Sequence, residues 1–208
     1  MKTPLNIGIV GAGGRMGRSL LENAFATDTL NISAAIDRPG SARLGEQIGP
    51  QQIIATDDLA SSIEECDVII DFSTPDACMS AARIAADSGV PVVTGTTGLS
   101  AAQQEELNVL ATQIPILQAA NFSVGVNILA KLVELASRAS GEGFDLEVFE
   151  AHHKHKVDAP SGTALMLGKA AAKGRDLDLE EMDRRMIERG VPMPWRRTDA
   201  DREATRHK

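Results

Sequence analysis

Short aliphatic runs alternate with longer amphipathic segments along the first 120 residues. The runs are apolar at successive positions, which is typical of strands that helices cover on both faces. They predict strands over residues 5–10, 32–36, 68–72, 90–94 and 114–119. The segments between them predict helices over residues 16–26, 75–88 and 100–112, with Gly89 ending the second and Ser100 capping the third. This alternation indicates an α/β fold with a parallel sheet.

The pattern changes near residue 120. It predicts a long apolar helix over residues 124–140, a strand over 146–151 and a helix over about 161–173. Leu179, Met182, Met186 and Ile187 then form a short amphipathic stripe. We therefore expect a first domain over residues 1–120, a smaller second domain over 121–175, and an atypical charged tail over 176–208.

Charge and composition narrow the class of protein. The 208 residues carry a formal net charge of −8, which disfavours a nucleic acid or an anionic membrane as a partner. Positive charge is concentrated in residues 184–208, which hold eight Lys or Arg against four Asp or Glu. Cys66 and Cys78 are the only cysteines, and we expect both to be reduced thiols of a cytoplasmic protein without a metal site. The N-terminal residues lack the pattern of a secretion signal.

A glycine-rich turn lies between the first predicted strand and the first predicted helix. It consists of Gly11, Ala12, Gly13, Gly14, Arg15, Met16 and Gly17. Glycines in this position let the backbone approach a pyrophosphate, which the helix N-terminus also favours. Asp37 stands where a carboxylate binds the ribose of NAD, whereas the adjacent Arg38 suits the 2′-phosphate of NADP, so we expect either cofactor. The alternatives are an ordinary tight turn at the glycines and a solvated turn at Asp37.

Besides the loop from Asp71 to Pro75, two more loops fall at the carboxyl edge of the predicted sheet, where open α/β sheets bind ligands. The first contains Gly95, Thr96 and Thr97, whose N–H and hydroxyl groups could bind the nicotinamide half of a cofactor. The second contains Ala119, Ala120, Asn121 and Phe122. The alternative for the first loop is an ordinary turn without a ligand. The alternative for the second is a loop that only leads into the next helix.

Three histidines and two lysines occupy residues 152–156, within the stretch from Glu150 to Thr163. The flanking lysines would repel a metal ion, which argues against a metal site. A solvated basic loop without a function is the alternative to a substrate-binding cluster. Lysine offers a point charge to a carboxylate, and both lysine and histidine can donate a proton. Ser161, Gly162 and Thr163 open the next predicted helix and form a second anion-binding element. Two such elements side by side indicate a small dicarboxylate substrate.

On these residues the chain resembles the dihydrodipicolinate reductase family over about residues 4–175. The stretch from Glu150 to Thr163 is similar to the family signature almost position for position. The resemblance implies a Rossmann-like dinucleotide-binding domain, then a smaller α/β substrate domain whose sheet assembles a homotetramer. It also implies hydride transfer from NADH or NADPH to a cyclic imine dicarboxylate, giving tetrahydrodipicolinate in the diaminopimelate route to lysine.

The resemblance assigns roles residue by residue. His152 would donate and accept a proton, Lys156 would donate one, and His153, Gly162 and Thr163 would hold the substrate carboxylates. The cofactor would bind Gly11, Ala12, Gly13, Gly14, Arg15, Met16, Asp37, Arg38, Gly95, Thr96, Thr97, Ala119, Ala120, Asn121 and Phe122.

The sequence after Lys173 departs from the family pattern, which continues with further strands. We therefore expect an incomplete substrate domain and a truncated or frameshifted chain. Two alternatives to an active reductase follow: a remnant that binds nucleotide without turnover, and another NAD(P)-dependent dehydrogenase of a small acid.

Overall fold

The computed structural model describes residues 4–152 and 160–182. The chain forms two compact units, Met1–Ala120 and Asn121–Lys208, which are described separately below. Within the described ranges, none of the helices has the length and apolar character that crossing a bilayer requires.

The first unit is built on a seven-stranded sheet in the order β3-β4-β2-β1-β5-β6-β7. Its strands are β1 Leu5–Val10, β2 Leu30–Ile36, β3 Gln47–Ile48, β4 Ile53–Thr56, β5 Val68–Asp71, β6 Val92–Thr94 and β7 Ile116–Gln118. All neighbouring strands are parallel except β3 and β4. The α/β, Rossmann-like fold class is therefore confirmed for this unit.

Helices α1 Arg15–Phe25, α2 Pro75–Asp87 and α3 Ala101–Leu110 connect the strands, with a one-turn 3₁₀ helix at Ile63–Glu65. Side chains from the two faces of the sheet enter different cores. Ile7 and Ile9 of β1 pack with Leu21 of α1, whereas Ile69 of β5 packs with Ala81 of α2. The sheet is thus covered on both faces, as its continuous apolar runs predicted.

The predicted cap of α3 and the predicted glycine stop after α2 are confirmed. Ser100 caps α3 by accepting a hydrogen bond from the N–H of Gln103 at 3.2 Å, and the Gln103 side chain accepts one from the N–H of Ser100 at 2.9 Å. Gly89 follows α2 with φ +72°, a left-handed conformation that glycine adopts without a steric penalty.

The described part of the second unit contains α4 Val124–Ser140, a one-turn 3₁₀ helix Gly141–Gly143, and α5 Gly162–Gly174. α4 and α5 can approach closely because Gly174 has no side chain. A Cβ at this position would overlap the carbonyl oxygen of Glu134. The Ser137 hydroxyl donates to the carbonyl oxygen of Ala171 at 2.6 Å. Lys131, Arg138 and Lys173 surround the Glu134 carboxylate at 3.0, 3.6 and 3.4 Å.

One predicted strand of the second unit is wrong, and two short strands of the first unit were not predicted. Residues 146–151 are irregular rather than a strand, since the described part of this unit offers no second strand for them to pair with. The strands β3 and β4 were not predicted because they are two and four residues long and lack a sustained apolar run. In the amphipathic stripe, residues 179–182 are helical and Met182 is buried, while Met186 and Ile187 lie outside the described residues.

Candidate active site

The glycine turn after β1 is the first site element. Gly11 has φ +82°, and a Cβ there would lie 2.5 Å from the carbonyl oxygen of Phe72, so this position requires glycine. The N–H groups of Gly11 and Ala12 both donate to the carbonyl oxygen of Ile36 at 2.9 Å. These bonds fix the turn against the end of β2.

The first turn of α1 continues directly from this loop. Gly14 is its N-cap and has no side chain to cover the helix start, where Arg15 and Met16 are exposed. Gly17 lets α1 pack beneath the turn, because a Cβ there would overlap the carbonyl oxygen of Gly11. A helix N-terminus that no side chain covers, next to a glycine turn, offers free N–H groups that suit a pyrophosphate.

Asp37, at the end of β2, lies against the glycine turn. Its Oδ1 accepts a hydrogen bond from the N–H of Arg38 at 2.8 Å, and its Oδ2 accepts one from the hydroxyl of Ser41 at 2.7 Å. A Cβ on Gly13 would overlap Oδ2. The space that the missing Cβ of Gly13 leaves open, with the Asp37 carboxylate beside it, fits a dinucleotide whose ribose hydroxyls can bind the carboxylate. Arg38 is exposed.

The loops after β5 and β6 are joined by the buried carboxylate of Asp71, to which the sequence analysis assigned no role. Asp71 is fully buried and accepts hydrogen bonds from the hydroxyls of Thr94 and Thr96, each at 2.7 Å, and from that of Ser73. The Thr96 hydroxyl in turn accepts from the N–H of Ser73 at 2.9 Å. A carboxylate has only acceptors, so all three hydroxyls direct their protons at Asp71.

The residues of the two predicted cofactor loops differ in their burial and contacts. A Cβ on Gly95 would overlap the ring of Phe72, while Thr96 is buried in the Asp71 network and Thr97 is exposed. Ala119 donates its N–H to the carbonyl oxygen of Thr94 at 3.1 Å, and Ala120 is exposed at the end of the first unit.

In the second unit, Asn121 lies at the start of α4 and contacts α5. Its side-chain Nδ2 donates to the hydroxyl of Thr163 at 3.2 Å, and its Oδ1 accepts from the N–H of Ser123 at 2.8 Å. Phe122 is exposed. The structure therefore brings together Asn121, predicted for the cofactor, and Thr163, predicted for the substrate.

Glu150 connects His152 to the start of α5. Its Oε2 lies 2.7 Å from Nε2 of His152, and its Oε1 accepts the N–H of Ser161 at 2.8 Å. Ser161 is buried and caps α5 by accepting the N–H of Ala164 at 3.0 Å. Gly162 and Thr163 form the first turn of that helix. His153 and Lys156 lie outside the described residues.

These contacts set the charge on Glu150. Hydrogen bonds from Ser161, with a smaller contribution from His152, lower the pKa of the Glu150 carboxyl from 4.5 to about 2. Glu150 is therefore ionised at neutral pH. The sequence analysis gave it no role, although it opens the stretch most similar to the family signature.

Comparison with known proteins places the chain in a family. The family profile described as dihydrodipicolinate reductase, N-terminus, matches residues 5–122, and that for the C-terminus matches residues 125–205. The second match thus includes most of the segment 176–208 that we expected to be atypical.

Similar curated proteins and a solved structure belong to the same family as the matching profiles. The chain is 47% identical over 188 residues to 4-hydroxy-tetrahydrodipicolinate reductase of Acinetobacter baumannii (strain AYE), covering 88% of this chain and 68% of the relative. It is 46% identical over 181 residues to that of Halorhodospira halophila (strain DSM 244 / SL1), covering 83% and 68%. Dipicolinate-bound dihydrodipicolinate reductase from Paenisporosarcina sp. TG-14 matches with a TM-score of 0.65 and 26% identity, over 83% of this chain and 67% of that one. The chain belongs to the dihydrodipicolinate reductase family of oxidoreductases.

Proposed function

We propose that this chain reduces 4-hydroxy-tetrahydrodipicolinate to tetrahydrodipicolinate and water in lysine and diaminopimelate biosynthesis. The observation that carries the proposal is the Glu150, His152 and Ser161 network, which holds a proton-transfer group beside the N-terminus of α5. The family's substrate is a small dicarboxylate, and a helix N-terminus suits its negative charge.

The cofactor is NADH or NADPH, which supplies the hydride. We assign its pyrophosphate to the turn from Gly11 to Met16 and its adenosine ribose to Asp37. The exposed Arg38 lies next to Asp37, which supports use of NADPH as well as NADH. Gly95, Thr96 and Thr97, with Ala119, Ala120, Asn121 and Phe122, are assigned to the nicotinamide half.

Proton transfer is assigned to the second unit. His152 donates and accepts a proton, and Lys156 protonates the ring nitrogen as hydride arrives, which neutralises the developing charge. His153, Gly162 and Thr163 hold the substrate carboxylates. The hydrogen bond from Asn121 gives the Thr163 hydroxyl a fixed orientation in this role.

The proposal includes the organisation of the protein. Residues 1–120 bind the cofactor, residues 121–175 bind the substrate, and residues 176–208 form a charged tail. By family resemblance the chain is a cytoplasmic homotetramer that uses neither nucleic acid nor membrane as a partner. Light scattering coupled to size exclusion tests the tetramer, because a monomer would contradict it.

Replacing Lys156 tests the assigned chemistry. We expect Lys156→Ala to lower kcat by about 10²–10⁴-fold, the scale of a lost general acid, with little change in KM. Steady-state kinetics with both substrates measures this. Lys169→Ala, at an exposed position on α5, is the matched control and should retain activity. A raised KM with nearly normal kcat would instead make Lys156 a carboxylate-binding residue.

A further inference from the structure

The ionised Glu150 carboxylate restricts the protonation of the His152 ring. Oε2 of Glu150 and Nε2 of His152 are 2.7 Å apart, a charge-assisted hydrogen-bond distance. An ionised carboxylate only accepts hydrogen bonds, so the proton between the two atoms belongs to Nε2. A neutral imidazole carries one proton, which leaves Nδ1 with a lone pair.

The carboxylate is itself held in place from the other side. Oε1 of Glu150 accepts the backbone N–H of Ser161, the residue that caps α5. The Glu150 side chain is 25% exposed and that of His152 is 38% exposed, so the pair lies at a surface that a ligand can reach. One carboxylate thus orients the imidazole and ties it to the helix whose first turn contains Gly162 and Thr163.

We propose that Glu150 is a positioning residue that keeps the proton of neutral His152 on Nε2 and leaves Nδ1 as the nitrogen that exchanges a proton with the substrate. The assignment of Nδ1 to the substrate rests on the proposed function. The hydrogen bond that sets the tautomer does not, and it can be tested without turnover.

The test is nitrogen-15 NMR of the full chain labelled at histidine, with His152 assigned by comparison with His152→Gln. At a pH where the ring is neutral, we expect a protonated Nε2 whose proton exchanges slowly with water, and an unprotonated Nδ1. In Glu150→Gln the carboxamide can donate as well as accept, so both ring nitrogens should move toward averaged signals and the proton should exchange faster.

Kinetics supplies the second readout. We expect Glu150→Gln to lower kcat, by less than the about 10²–10⁴-fold expected for losing His152, while the KM for NADH stays unchanged. Glu147→Gln makes the same change of charge at an exposed position three residues away and should match the wild type. Ser161→Ala weakens the cap of α5 but keeps its backbone N–H, so it should retain the His152 tautomer.

Three results would overturn the proposal. The first is a wild-type chain with the His152 proton on Nδ1, and the second is a Glu150→Gln variant whose ring signals and kcat equal those of the wild type. A Ser161→Ala variant that reproduces all effects of Glu150→Gln would also contradict it, since helix fraying would then explain them. An inactive chain with a proton fixed on Nε2 would contradict the proposed function and support the Glu150 contact.

Discussion

At the scale of single residues, Asp71 illustrates how much one buried carboxylate can organise. Its three hydroxyl partners come from the loops after β5 and β6 and from the end of β6 itself. Thr94 and Thr96 follow it by more than twenty positions, and only the pairing of Asp71 with Thr94 across the sheet brings them together. A sequence pattern contains no such register, so the sequence analysis assigned this residue no role. Asp37 was predicted because the spacing between a glycine turn and a ribose-binding carboxylate is a known feature of dinucleotide sites.

We expect Asp71→Asn to disorder both loops, because an amide cannot accept from all three hydroxyls. A lost hydrogen bond to a charged group is worth about 1.5–3 kcal/mol, so the free energy of unfolding of the first unit should fall by about that amount. NADH should also bind more weakly. Urea denaturation and cofactor fluorescence measure the two effects. Asp57→Asn, at an exposed position, is the control, and equal behaviour of both variants would refute the role of Asp71.

Both cysteines should be chemically inert in the folded protein. Burial raises the pKa of Cys78 to about 12 and also raises that of Cys66, so little of either thiol is ionised at neutral pH. Thiol titration with a disulfide reagent should detect neither group before denaturant is added and both afterwards. Rapid reaction in the native state would contradict the burial of these side chains.

At the scale of elements, long apolar runs predicted the centre of the sheet well, and β1 and α4 were predicted with the bounds that the structure shows. Apolarity alone failed for residues 146–151, because a strand also needs a partner. It failed again for β3 and β4, which hold their places through pairing with each other and with β2. Strand prediction from one sequence therefore works where burial on both faces decides the structure.

The contact between α4 and α5 depends on a glycine. We expect Gly174→Ala to destabilise it by about 1–3 kcal/mol, since the new Cβ would meet backbone atoms of Glu134 that cannot move independently. Hydrogen exchange of the α4 and α5 amides measures the loss. Gly125→Ala, where the nearest atom is the Ser123 Oγ at 3.9 Å, should be neutral or stabilising. Equal exchange in the two variants would contradict the close packing.

The second unit should be sensitive to acid. Lys131, followed by Lys173, lowers the pKa of Glu134 below 4.5, and Ser161 with His152 lowers that of Glu150 to about 2. A carboxyl whose pKa is lower in the folded than in the unfolded state stabilises the fold at pH values above the unfolded pKa. This stability is lost as the pH falls toward the folded pKa. Hydrogen exchange in α4 and α5 should therefore accelerate as pH falls from about 4.5 toward 2, after correction for intrinsic rates. Glu134→Gln should reduce this dependence, and an unchanged one would exclude Glu134 as its source.

At the scale of the whole molecule, each unit carries part of the proposed chemistry. The first provides a turn, a carboxylate and an ordered hydroxyl network for a cofactor, and the second provides a histidine held by Glu150 beside a capped helix start. Family profiles match both units, so the chain contains recognisable parts of the reductase in each.

Cofactor oxidation by the purified chain of 208 residues tests the central claim most directly. NADH and NADPH are supplied in separate reactions with freshly generated 4-hydroxy-tetrahydrodipicolinate, and the absorbance of the reduced nicotinamide is followed. The account predicts oxidation that depends on this substrate and that Lys156→Ala lowers by about 10²–10⁴-fold. A chain that binds NADH or NADPH but oxidises neither in the presence of the substrate would contradict it.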